Sequence, residues 1–280
     1  MTHAEHHRHE HGPADQAELL DLDADVLAGH TASIVASLPV EADPRTIVDL
    51  GCGTGTGALA LLRRFPNARV TAVDSSPAHL DRLRHKAADE GVAEHVDIVE
   101  ADLDAPEWPD LGTPELVWAS ASLHHFGDPD RALRQVHELL APGGLLAVVE
   151  LAGFPRFLPS GAPDERPGLE ERLHTALDHR HAEHVPHRGA DWGSRLTEAG
   201  FTVEGEQTLD VFIAGAGDET VGRYAIAGLA RTREAAADLL TAEDLAALDS
   251  LLDVRGPGSI LRRGDLVVRT QRSVWTARRN

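Results

Sequence analysis

The chain has 280 residues and a mass of 30.0 kDa, room for one large domain or for one domain with a cap. An apolar fraction of 42% and a charged fraction of 26% allow an ordinary core and exclude wholesale disorder. Acids outnumber bases 46 to 26, and a formal charge of −20 argues against nucleic acid and against an anionic membrane surface as partners.

Residues 1–18 read as a loose, histidine-rich tail carrying His3, His6, His7, His9 and His11, with no apolar period. Residues 19–280 read as a single domain. Helical spacing begins near Asp23, with Val26, Leu27, Ile34 and Leu38 on one face; His30 shares that face and reads as a core histidine. Residues 46–50 are a short β-branched run that ends in glycines. A helix at 58–64, a strand at 68–73, and a helix started by Ser76-Pro77 follow. Strands are expected at 96–99 and 115–119. A helix opens at Asp128-Pro129 and stops at Pro142-Gly143-Gly144, and a fifth strand covers 145–150. The run 145–154 is the most apolar in the chain, but it is too short to span a membrane and is interrupted by Glu150. Strands alternating with helices specify βαβ units, a parallel sheet and a doubly wound α/β core over 40–150.

Beyond residue 150 the alternation breaks. Five prolines surround one helical stretch, 169–184, so 154–189 reads as a cap or lid. A helix at 192–199 and a long strand at 201–213 come next. A helical insert over 215–260 contains a capping box, Thr241 with Asp244, and the chain ends on a strand at 265–277. The one cysteine, Cys52, excludes an internal disulfide and suits a reducing compartment. With no basic-then-apolar leader visible, a cytoplasmic location is expected.

The sharpest motif is Asp49-Leu50-Gly51-Cys52-Gly53-Thr54-Gly55-Thr56-Gly57, between the first strand and the first helix of the core. Glycines there permit tight turns and close approach of a ligand, and the helix start favours an anionic group. Dinucleotide-binding folds also place glycines at this position. Asp74, at the tip of the second strand, can accept two ribose hydroxyls, and Asp102 follows the third strand, where it can accept from an exocyclic amine.

With these motifs the chain resembles the class I S-adenosylmethionine-dependent methyltransferases, in particular small-molecule enzymes of the ubiquinone-biosynthesis-like group and an actinobacterial-type subgroup. The resemblance rests on 48–57, Val73-Asp74-Ser75-Ser76, Ala101-Asp102-Leu103, 117–125 and the turn within 140–146. It implies a Rossmann-like, seven-stranded doubly wound sheet with an antiparallel last strand, plus helical cap insertions. It implies S-adenosyl-L-methionine as cofactor, with Gly51, Gly53 and Gly55 packed on the methionine part and Asp49 near its amino group. Asp74, with Ser75 beside it, would take the ribose, Asp102 and Leu103 would flank the adenine, and Ser120 would lie beside the sulfonium.

Methyl transfer from a sulfonium is mostly positioning and water exclusion, with a base needed only when the acceptor arrives protonated. His124 and His125, just past the fourth strand, are the candidates for that base. No cation-dependent aspartate set is evident, so metal-independent transfer to a small-molecule acceptor is expected. His174, Asp178 and His181 lie on one helical face with His179, His184 and His187 nearby; a solvated face is the reading preferred over a metal site. Arg156, Arg223, Tyr224, Arg262 and Arg263 are read as salt-bridge or pocket residues. Two alternatives stand beside the methyltransferase reading: an NAD-dependent oxidoreductase using Asp74 for ribose, and a cofactor-binding member without turnover that recognises a partner. The late leucines leave a homodimer open.

Overall fold

The computed structural model describes residues 13–184 and 187–280, with the side chains of all of these except 13–15, 179 and 181–184. Seven strands form one sheet: β1 (Thr46–Leu50), β2 (Arg69–Asp74), β3 (Val96–Glu100), β4 (Leu116–Ser120), β5 (Leu145–Leu151), β6 (Thr202–Ala214) and β7 (Val267–Arg278). Their order is β3-β2-β1-β4-β5-β7-β6. β1 to β5 are parallel, and β7 lies between β5 and β6, antiparallel to both. The expected doubly wound sheet with its antiparallel last strand is therefore present.

The described helices are α1 (Pro13–Val26), α2 (Ala28–Ser37), α3 (Thr56–Arg64), α4 (Pro77–Asp89), α5 (Pro129–Leu139), α6 (Leu169–His184), α7 (Trp192–Glu198), α8 (Glu219–Ala235) and α9 (Ala242–Leu252). Local chemistry sets several starts. The Ser76 hydroxyl accepts from the His79 N–H, and the Asp128 carboxylate accepts from the Arg131 N–H at 2.9 Å; each cap is followed by proline at the first helical position. The Thr241 hydroxyl likewise accepts from the Asp244 N–H at 3.2 Å and opens α9.

Both faces of the central strands are buried, which explains their near-continuous apolar runs. One face packs Ile47, Val70 and Trp118 against Leu61 and Phe65 of the α3 region and Leu80 and Leu83 of α4. The opposite face packs Val48, Val117, Val148 and Trp275 against Leu133 and Val136 of α5 and Trp192 and Leu196 of α7. Each fully buried large side chain contributes about 1.5–3 kcal/mol. A third cluster, with Phe157, Leu173, Leu177, Tyr224, Leu229 and Leu248, joins α6, α8 and α9.

Residues 13–18 depart from the sequence reading: they are helical and belong to α1. That helix has no strong apolar period of its own, and tertiary contacts hold it. Asp21 pairs with Arg82 and Lys86 of α4, and Glu18 accepts from Arg223 of α8 at 2.9 Å. Asp23 accepts from the Tyr224 hydroxyl and from Arg272 of β7. His3, His6, His7, His9 and His11 lie outside the described residues. His30 is only half-buried, so it is not a core histidine.

Segment 154–189 and the insert 215–260 are tied by charge. Arg166 and Arg172 donate to the buried Asp244 carboxylate at 2.6 and 2.7 Å. The Arg172 hydrogen bond first, then Arg166, holds its pKa down at about 2 despite burial. A depressed carboxyl contributes stability that is present above the ordinary aspartate range and is lost as pH falls toward about 2. Asp244→Ala is expected to lower the unfolding free energy at pH 7 by about 1–3 kcal/mol. Denaturant titrations of both proteins should converge as pH falls from about 4 to 2; a gap that persists at pH 2 would contradict this role.

Candidate functional site

β1 is flanked by β2 on one side and β4 on the other, so the winding of the sheet reverses at this strand. Open α/β sheets bind ligands at the carboxyl ends of strands at such a reversal. The glycine loop occupies that position. Gly51, Gly53 and Gly55 have φ of +66°, +53° and +89°, in the left-handed region. A Cβ on Gly51 would fall 2.5 Å from the Ser122 Cβ, and one on Gly55 would fall 2.2 Å from Leu83 Cδ1. Glycine is thus required there by conformation and by space. Cys52, in the same loop, is buried, and burial first, then Asp49 and Asp74, pushes its thiol well above the usual range, so it is a packing residue and not a nucleophile.

Asp49 sits beneath the loop, 1% exposed, and its Oδ2 has no hydrogen-bond partner. Burial pushes its pKa up to about 7. Trp118 faces it in register across β1 and β4, and its Nε1 is likewise buried and unpartnered. Both atoms lie against Gly57, where a Cβ would stand 2.9 Å from the carboxylate oxygen and 2.5 Å from the indole nitrogen.

Asp74 ends β2. Its Oδ2 accepts the Gly53 N–H at 2.8 Å, and its Oδ1 accepts the Ser76 N–H at 2.9 Å and meets His79 Nδ1 at 3.2 Å. Burial opposes its charge, but His79 and the two backbone donors more than offset that and hold the carboxyl below the usual range. Three of roughly four lone-pair sites are therefore taken. Ser75 is exposed at the strand tip. Asp102 is exposed after β3, where its Oδ1 accepts the Asp104 N–H at 2.9 Å, and Leu103 beside it is buried. Ser120 ends β4, half-buried.

The turn after β4 is tightly specified. Ala121 holds φ at +51°, the one described non-glycine residue with positive φ, and such a conformation persists only where its surroundings impose it. Its N–H donates to Val149 of β5, and the Ser122 hydroxyl donates to the Leu50 carbonyl at 2.9 Å. This places His124, 4% exposed, against Glu150, 2% exposed, at the end of β5. The ring Nδ1 lies 2.5 Å from Glu150 Oε2, and the His124 N–H donates to Oε1 at 3.3 Å. With Glu150 ionised, Nδ1 carries the proton and Nε2 is the nitrogen able to accept one. His125 stacks on His124 at 4.1 Å between centroids. One side of His125 is open to solvent; burial of the rest, then His124, holds it below the ordinary imidazole range.

The sheet thus brings Asp49, the three glycines, Asp74, Ser75, Asp102, Leu103, Ser120, His124 and His125 to one edge, the carboxyl ends of β1 to β4. Two further residues belong to this edge. Glu150 carried a sequence signal, an acid breaking the apolar run 145–154. His79 carried almost none, being an ordinary first-turn residue of α4. Arg223, Tyr224 and Arg263 are engaged by Glu18, Asp23 and Asp265 respectively. Among the described residues no group of three His, Cys, Asp or Glu side chains is arranged to hold a metal ion, and the His181 and His184 side chains lie outside the described set. Among the described residues no helix is long and apolar enough to cross a membrane.

Residues 47–144 match the family model described as a methyltransferase domain. The chain is 38% identical over 117 residues to trans-aconitate 2-methyltransferase of Methylobacterium radiotolerans, covering 42% of each chain. It is 32% identical over 203 residues to the enzyme of that name from Streptomyces coelicolor, covering 69% of this chain and 64% of that one. The chain spans about half the length of the curated relatives it matches. Among solved structures, a Bacillus halodurans protein assigned as a methyltransferase superposes with a TM-score of 0.56 at 18% identity, over 90% of this chain and 99% of that one, a likeness of fold. Residues 47–144 are therefore a methyltransferase domain of the class I, S-adenosylmethionine-dependent type. Nothing in these matches lends support to the oxidoreductase alternative.

The raised carboxyl of Asp49 has a measurable consequence. The folded chain keeps this proton up to about pH 7, whereas an unfolded aspartate loses it near its ordinary value. The group's contribution to stability is therefore full below about pH 4 and is lost as pH rises to about 7. Buried Glu170, also pushed up to about 7 by burial, adds to the same limb. Melting temperatures of the ligand-free protein should fall across this window, and Asp49→Asn should flatten part of the fall. Parallel curves for the two proteins would contradict the assignment.

Proposed function

We propose that the protein catalyses metal-independent methyl transfer from S-adenosyl-L-methionine to a small-molecule acceptor. The observation that carries this reading is the glycine loop at the sheet reversal, held by Asp74 through the Gly53 N–H and lying over Asp49, whose Oδ2 has no partner. The residues present fit the cofactor. The orphaned Oδ2 of Asp49 suits an ammonium group, whose charge would bring this carboxyl back to its ionised form. Asp74 suits a ribose diol, though two hydroxyls must displace one of its present donors; His79, at 3.2 Å the longest contact, is the one to give way. Asp102 and Leu103 offer an acceptor and an apolar wall for adenine, and Ser120 lies at the adjoining strand end. When bound, the cofactor supplies a methyl group on a sulfonium, open to in-line displacement.

The chain's own part is to position the acceptor, exclude water and take up a proton. His124 Nε2 accepts that proton while Glu150, bonded to Nδ1, fixes the tautomer and stabilises the imidazolium. The relatives' names include trans-aconitate and malonyl-[acyl-carrier protein] methyltransferases, so their acceptors are small or carrier-bound acids. For this chain we take from them the small-molecule class only.

Calorimetric titration should show micromolar binding of adenosylhomocysteine and none of NAD. Asp74→Ala should weaken adenosylhomocysteine by about 10- to 100-fold, the worth of one charged hydrogen bond. NAD binding in its place would return the oxidoreductase reading, and retained affinity in the variant would remove Asp74 from the site. His124→Asn and Glu150→Gln should keep adenosylhomocysteine affinity while lowering turnover by about 10²–10⁴, the worth of a positioned base. Unchanged turnover in both would remove the pair from the chemistry.

A further inference from the structure

Below α7 lies a cleft of about 380 Å³ whose lining includes Glu150, Ala152, Asp191, Trp192, Glu206 and Trp275. Among the described residues that line it there are three carboxylates and no basic side chain. Glu150 forms the buried part, and Glu206 stands exposed on β6. Asp191 caps α7 and is held below the usual carboxyl range by the Ser194 hydroxyl and then the Ser194 N–H, so it stays ionised. The nearby cation Arg195, whose guanidinium lies 5.9 Å above the Trp192 ring, is committed to Asp130 at 2.5 Å.

An unpaired indole adds an observation independent of this charge. Gly193 lacks a side chain at a spot that lies 3.4 Å from each of Asp191 Oδ1, Glu206 Oε2 and Trp275 Nε1. Trp275 is 6% exposed, and its Nε1 is buried without a hydrogen-bond partner, as is that of Trp192. A buried indole N–H left unpaired is a donor awaiting an oxygen. Three polar atoms thus converge on one small space, two of them carboxylate oxygens.

We propose that this cleft recognises a small amine bearing a neighbouring oxygen, and that this amine is the methyl acceptor. The inference rests on the methyl-transfer reading and names its substrate class. An anionic acceptor would meet three like charges. An ammonium group compensates them, while the neighbouring oxygen accepts from the Trp275 indole N–H. Glu150 joins recognition to chemistry, because the carboxylate that lines the cleft also holds His124 Nδ1 at 2.5 Å. An ammonium is no nucleophile until it loses a proton. That proton passes to His124 Nε2, the freed lone pair forms the N–CH₃ bond as the C–S bond breaks, and the sulfur leaves as a neutral thioether. The product is the N-methylammonium, and His124 returns its proton to solvent. Charge is conserved: two cations enter and two leave.

The test is nuclear magnetic resonance of the indole N–H groups in the full chain saturated with adenosylhomocysteine. The four tryptophan signals are assigned by single Trp→Phe changes. Titration with 2-aminoethanol should shift the Trp192 and Trp275 signals and saturate in the millimolar range, while propionate at equal ionic strength should not. Glu206→Gln and Gly193→Ala should each weaken 2-aminoethanol at least fivefold. The second change fills the shared space at ordinary contact distance and suits a helix, so the fold survives it. Equal response to propionate, no response to 2-aminoethanol, or unchanged affinity in both variants overturns the amine site. Adenosylhomocysteine release should occur with a mixture of small primary amines and not with a mixture of carboxylic acids. Release with the acids, or with neither, overturns the acceptor assignment. Loss of adenosylhomocysteine binding, by contrast, sinks the methyl-transfer reading and leaves the amine-binding result standing.

Discussion

Buried carboxylate charge at the carboxyl edge of the parallel strands is the constraint on which the site depends. Asp49, Asp74 and Glu150 are each carried by a strand to this edge, and each needs compensation. A buried carboxylate is costly unless paired or hydrogen-bonded, and otherwise it keeps its proton. The chain resolves the three differently. Asp74 is satisfied by backbone donors and His79. Glu150 is satisfied by the ring and N–H of His124. Asp49 is left with an unpaired oxygen and a pKa near 7. In the proposed reaction the first would exchange a partner for the ribose, the second would orient the base, and the third would pair with the cofactor's ammonium.

The strained turn after β4 belongs to the same arrangement. Ala121 adopts a left-handed conformation that costs about 1 kcal/mol or more. In return the Ser122 hydroxyl ties the turn to Leu50 at the start of the glycine loop, and His124 reaches Glu150 on β5. The glycine loop and His124 are thereby joined through β1, β4 and β5.

Much of this edge was legible in the sequence because it depends on local patterns. Glycines between a strand and a helix, acids at or near the ends of β1, β2 and β3, and a Ser-Pro helix start are contiguous signals. Other features depend on distant pairing. Glu150 showed only as an interruption in an apolar run, since its partner lies 26 residues earlier. Residues 13–18 offered no period because α1 is held by ion pairs to α4 and α8, the latter about two hundred residues away. His79 matters through contact with Asp74, which helix position alone does not reveal. The acceptor side is least legible for the same reason: its cleft is assembled from β5, α7, β6 and β7, which share no contiguous motif.

The division between the two halves has a physical basis. The methyl donor asks the same of every such protein, so strand-tip acids and glycines suffice and lie within 47–144, the segment that matches the methyltransferase domain. The acceptor asks for something particular, and the residues proposed to answer it lie beyond residue 144. Glu150 stands at the junction. Its carboxylate holds His124 on one side and lines the acid cleft on the other, so a cation entering that cleft draws on the same charge that stabilises the imidazolium. The carboxylates that attract the cation also favour its charged form, so the proton it gives up leaves against their field. In the proposed reaction, recognition and proton uptake would therefore draw on a single buried group, Glu150.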